Sequence, residues 1–133
     1  MILHLTGILR DGLVTVGLNA NARPAITVWQ KTDAVVRVRV VAADGRVLPT
    51  SAFASLTLTV KPRTADAAAV LTIVAVPDTQ AKEHVFTIPA ASTRAAKTPA
   101  GTYLYDVTGV DGAGLRDTLI PASSFVVLQS IGA

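Results

Sequence analysis

Two histidines and nine carboxylates are all that this 133-residue sequence offers for proton transfer or for holding a metal through nitrogen and oxygen. His4 and His84 lie far apart, and neither stands at a metal-ligand spacing from another donor. Glu83 is the only glutamate, so general acid–base work would fall to the eight aspartates. Seven of these, Asp11, Asp33, Asp44, Asp66, Asp78, Asp111 and Asp117, occupy turns, loops or strand ends. There a short carboxylate caps main-chain N–H groups. Asp106 alone falls inside a strand pattern, where it is expected to pair with a strand neighbour or cap a loop. Asp111-Gly112-Ala113-Gly114 opens like a calcium loop, but it lacks the alternating acidic ligands and the terminal glutamate, and it reads as a β-turn. There is no cysteine, and therefore no thiolate nucleophile or thiolate metal site. No nucleophile elbow, phosphate loop or dinucleotide fingerprint occurs. The residues thus point to no enzyme, no metal and no cofactor.

What remains is recognition by surface. Trp29, the only tryptophan, alternates with Thr27, so with Val28 inside it points outward, as interface anchors do. Formal net charge is +3 and only 16% of residues are charged, with Lys and Arg scattered. Arg37 and Arg39, with Lys61 and Arg63, could make a small basic patch. The stripe of a nucleic-acid binder is missing, so no nucleic-acid contact is expected. Nor does any run approach the roughly 20 apolar residues of a membrane helix. The N-terminus is apolar without a basic start or a cleavage site, so it does not read as a signal peptide.

These residues must be positioned by strands. Alternation of period two recurs along the chain, broken by turn signals. Residues 2–9 and 13–18, around Arg10-Asp11-Gly12, read as an antiparallel hairpin with apolar residues on both faces. Strands follow at 26–30 and 34–42, where Val36, Val38 and Val40 share one face, and through 56–61, with Leu56, Leu58 and Val60 inside. Residues 70–76 form a continuous apolar run, the mark of a strand covered on both faces. Further strands are expected at 85–88, 102–108, 115–120 and 125–131. The Ala-rich stretch 90–97 is the one helical candidate, with Ser92 as its cap. About nine short strands at this spacing predict an all-β, immunoglobulin-like antiparallel sandwich. Its domain is placed at 23–133, behind an N-terminal hairpin extension at 1–22. Ile2, Leu3, Leu5, Ile8, Leu13 and Val16 of that hairpin, with Trp29, are the expected assembly contacts.

Pro99-Ala100-Gly101-Thr102-Tyr103-Leu104-Tyr105 has the form of a tyrosine corner. Tyr103 would bury its ring and send its hydroxyl to nearby backbone, while Tyr105 would take the position of the antibody cysteine. Both tyrosines are expected to be structural. The wider order of motifs resembles a bacteriophage domain that typically reads Q-G-D-T, alternating strand, D-G, strand, V-K-P, and then P-x-G-x-Y-x-Y-D-V. Here the matching pieces are Gln30-Lys31-Thr32-Asp33, Asp44-Gly45, Val60-Lys61-Pro62 and Thr98 through Val107, with Lys31 at the usual glycine. The chain is similar in this to the Ig-like N-terminal domain of baseplate upper proteins and to related tail, neck and head-decoration proteins. The resemblance implies a virion structural protein made in the host bacterial cytoplasm. It would dock on other virion proteins, as a homo-oligomeric ring or lattice. The competing reading is a carbohydrate- or host-surface-binding sandwich, which would need exposed aromatic platforms.

Overall fold

The computed structural model describes residues 2–8, 24–42, 44–62, 68–93 and 98–129. Nine strands run through them: β1 (Ile2–Ile8), β2 (Ile26–Trp29), β3 (Ala34–Val41), β4 (Phe53–Lys61), β5 (Leu71–Val74), β6 (Val76–Asp78), β7 (Glu83–Ile88), β8 (Gly101–Asp111) and β9 (Arg116–Leu128). They form a four-stranded sheet ordered β1-β3-β7-β6 and a five-stranded sheet ordered β2-β9-β8-β4-β5. The neighbours β3-β7-β6 and β9-β8-β4-β5 reproduce the strand order of a variable-type immunoglobulin sandwich.

Alternation builds the core. Ala34, Val36, Val38 and Val40 of β3 face Leu56, Leu58 and Val60 of β4, and Phe86, Ile88, Tyr105, Val107, Phe125 and Val127 fill the space between the sheets. A side-chain period of two places each of these sets on a single sheet face.

Five expectations are corrected. The sandwich is mixed, not wholly antiparallel, because β1 pairs with β3 and β2 with β9 in parallel. Each of these strands is separated from its partner by at least one intervening strand or connection, and such a route permits parallel entry where a tight hairpin does not. Second, β1 is not an extension lying outside the sandwich: it pairs along its whole length from Ile2↔Val35 to Ile8↔Val41. Its Leu5 packs against the core. Gly7 is buried where a Cβ would stand 3.1 Å from Leu119 Cβ. The second half of the expected hairpin, with Leu13 and Val16, lies outside the described residues.

Third, residues 70–76 are not one strand covered on both faces. They change sheets at Ala75: β5 pairs with β4 and β6 with β7. Val74 and Val76 are exposed on this seam. A run of branched residues favours extended chain wherever it lies, and edge position, not composition, decides its cover. Fourth, the helical candidate begins as a short 3-10 turn, Ala90–Thr93. The Ala90 amide donates to the Asp33 carboxylate at 2.7 Å, so the cap comes from across the sandwich and not from Ser92. A piece this short does not repay helix nucleation on its own. Fifth, the last two expected strands are one, β9, running through Pro121. The register with β8 shifts between Tyr105 and Val107 and again between Val107 and Thr108, and a bulge tolerates a residue without an N–H.

Candidate interaction surfaces

The residues that carry the phage-domain resemblance meet at one end of the sandwich. Gln30, buried at the end of β2, donates its side-chain amide to the Thr98 carbonyl at 3.2 Å. The Thr98 hydroxyl donates to the Ser92 carbonyl at 2.8 Å. Asp33 holds the Ala90 amide as above. Lys31, where a glycine is usual, adopts φ 59°, the left-handed region that glycine favours. The Tyr103 hydroxyl donates to the Pro99 carbonyl, four residues back, at 2.6 Å. This is the geometry of a tyrosine corner. Tyr105, 1% exposed, stacks edge-on against Phe125 at 6.2 Å and donates to the Pro24 carbonyl. Burial raises the hydroxyl pKa of both tyrosines, so each is held neutral as a donor. These residues scaffold the fold; their polar atoms are engaged with main chain.

The remaining aspartates of this kind do likewise. Asp44 accepts from the Arg46 amide at 3.0 Å, and Asp111 accepts from the amides of Ala113 and Leu115, each at 2.9 Å. The Asp111 loop is therefore a closed hairpin turn whose carboxylate is committed to backbone. Asp11 and Asp66 lie outside the described residues.

The outer face of the four-stranded sheet carries a charge network that sequence reasoning missed. Glu83 on β7, 7% exposed, accepts from Arg37 Nε on β3 at 3.0 Å and bonds His4 Nδ1 on β1 at 3.2 Å. Arg37 also donates to Asp78 on β6. Burial is the largest single influence on the Glu83 carboxyl and raises it, but Arg37 and His4 together hold it below the usual range. The Ala81 amide and then Arg37 lower Asp78. The expected basic patch does not form. Arg37 is committed to acids here, while Lys61 lies on the other sheet, beside Asp106; Arg63 is outside the described residues. A signal was available, since Asp78 and Glu83 flank a four-residue turn and must oppose each other, as the Asp78↔Glu83 pair does.

The outer face of the five-stranded sheet differs in kind. Register places Val74, Thr57, Thr108 and Thr118 in one row, and Thr72, Thr59 and Asp106 in the next. Among the described residues its charged positions are Lys61, Asp106 and Arg116. Thr59, Lys61, Pro62, Leu104, Tyr105, Asp106 and Ala122 line a shallow depression of about 150 Å³ there. Burial raises the Asp106 carboxyl, and Lys61 partly opposes it. At the β2 edge of this face Trp29 stands 47% exposed beside half-buried Leu128, its register partner. All six aromatic residues of the sequence are described, and the other five are buried. One tryptophan does not make an aromatic platform.

Of the expected contacts, Trp29 is thus exposed and Leu5 is turned to its own core. Ile2, Leu3 and Ile8 belong to β1, whose side chains at these positions are outside the described set.

No protein-family model matches the sequence, and no curated protein does. Among solved structures, the chain is similar to the N-terminal domain of phage TP901-1 ORF48, at 10% identity and a TM-score of 0.46. The alignment covers 98% of this chain and 99% of that one.

Proposed function

We propose that this chain is a non-enzymatic bacteriophage virion structural protein, an Ig-like module that docks on other virion subunits in a ring or lattice. The observation that carries the reading is the placement of Trp29. It is the one aromatic side chain left in solvent, at the margin of a broad sheet face that is poor in charge and rich in threonine. Apolar area on an aromatic anchor, ringed by uncharged side chains, is what a docking contact requires. The motifs shared with the phage domain support the reading from a second side, because they build the joint that holds the β2 end to the β8 end. The mechanism is burial of surface, with no turnover.

Trp29 is also a built-in reporter. In the isolated chain its fluorescence should be open to a soluble quencher, and in assembled particles it should be shielded and blue-shifted. Particles grown with a Trp29→Ser chain should lack the protein, while the variant alone keeps the wild-type melting temperature. Incorporation of Trp29→Ser at wild-type copy number would reject Trp29 as the contact. Absence of the wild-type chain from purified particles, with binding to host polysaccharide, would replace the reading with the host-surface binder.

A further inference from the structure

We propose that the start of β7 is an acid-released clasp, which joins the strands of the four-stranded sheet at neutral pH and lets the edge strands β1 and β6 detach in acid while the five-stranded sheet stays closed. The inference is independent of the virion reading.

Two adjacent residues on opposite faces carry it. On the outer face, the one Glu83 carboxylate is bonded from β3 by Arg37 and from β1 by His4, at 3.0 and 3.2 Å. Arg37 extends the chain of bonds to Asp78 on β6. All four strands of the sheet are tied at this point. The other charged positions near Glu83 are Arg39, on the same face of β3 and half a repeat beyond Arg37, and Lys82, which precedes it in the chain. On the inner face, His84 is 4% exposed, opposite Val38 of β3 and Pro77 of β6. Its ring meets Phe53 edge-on at 6.1 Å. The described inward positions of β3, β4 and β5 are apolar, so no charge of either sign compensates a proton placed there.

Acid acts on both faces in the same direction. Burial lowers the His84 imidazole, so below its ordinary value, about 6.5, the unfolded chain takes up a proton that the folded one refuses. Stability is present above that pH and is lost as pH falls. Glu83 and Asp78 are held below their ordinary values by their partners. Their contribution is present near neutrality and is lost as pH falls below about 4.5. Protonated Glu83 releases Arg37 and His4, and protonated Asp78 releases Arg37. In the five-stranded sheet, Asp106 has the opposite shift, raised by burial, and so favours the folded state in acid. The two sheets therefore respond to acid with opposite signs.

Amide hydrogen exchange of the whole chain at about pH 7, 5.5 and 4, corrected for intrinsic rates, reads each strand separately. Protection in β1, β6 and β7 should fall roughly tenfold or more relative to β4 and β8 as the pH is lowered. His84→Phe should abolish the step between about pH 7 and 5.5, and Glu83→Gln should abolish most of the step below it. Asp78→Asn keeps the carboxylate of Glu83 and should loosen β6 at every pH while β1 remains held. Equal loss of protection in both sheets would overturn the proposal, and so would an acid step that persists in His84→Phe. If Glu83→Gln does not fold, β1 remaining as protected as β8 in acidified Asp78→Asn would overturn it as well.

Discussion

The hydroxyl of Tyr105 donates to the main-chain carbonyl of Pro24, 81 residues earlier in the chain. The bond closes β8 against the segment that leads into β2, two strands that are not neighbours in the sheet. Tyr105→Phe keeps the ring and leaves a buried carbonyl without its donor. It should cost about 1–3 kcal/mol in denaturant unfolding. A variant as stable as wild type would show that water replaces the hydroxyl.

Tyr103 works more locally. Its ring is buried and its hydroxyl satisfies Pro99 at 2.6 Å. Tyr103→Phe should cost about 1 kcal/mol, the net worth of one hydrogen bond. Tyr103→Ala should cost about 3–5 kcal/mol, because the ring's packing goes too. Equal losses for the two substitutions, measured by chemical unfolding, would assign the whole effect to the hydroxyl.

Gly7 tests the standing of β1. A Cβ at this position would press on Leu119 Cβ at 3.1 Å, with Val38 and Ile120 close behind at 3.6 and 3.7 Å. Gly7→Val should destabilise by about 1–3 kcal/mol through overpacking. An unchanged melting temperature would mean that β1 is not seated on the core.

Asp106 should be a liability at neutral pH. Its carboxyl is raised by burial, with Lys61 opposing. The folded chain therefore holds a proton to higher pH than the unfolded chain, and the associated stability is lost as pH rises through the raised value. Asp106→Asn should raise the melting temperature at about pH 7 and leave it nearly unchanged at about pH 3, below both folded and unfolded values. A lower melting temperature at neutral pH would show that the Lys61 interaction outweighs desolvation.

The parts of this fold legible in the sequence are those fixed by local pattern. The inward faces of β3 and β4 followed from valines and leucines at every second position, and the turn aspartates from their contexts. The tyrosine corner could be read because its donor and acceptor lie four residues apart. What was not legible depends on partners distant in sequence. Residues 70–76 have one composition but serve two sheets, and only the position of β4 and β7 decides where Ala75 must cross. The 3-10 turn at Ala90 is capped from Asp33, 57 positions away. Arg37 read as a member of a basic surface because its acids, Asp78 and Glu83, arrive 41 and 46 residues later. Trp29 was placed correctly by alternation alone, whereas Leu5, in an equally apolar run, could not be assigned a side without its parallel partner.

The parallel pairing of β2 with β9 bears on how the domain carries tension. The chain enters β2 at one end of the pair and leaves β9 at the other, from Ile26↔Phe125 to Trp29↔Leu128. A pull on these two ends draws the strands past each other along their length, so the ladder bonds are loaded together, in shear. Bonds in an antiparallel hairpin pulled from its open end are instead loaded one after another and part at low force. A subunit held through these two ends would pass axial load through the β2–β9 pair as a unit, and would yield abruptly, with little prior stretch.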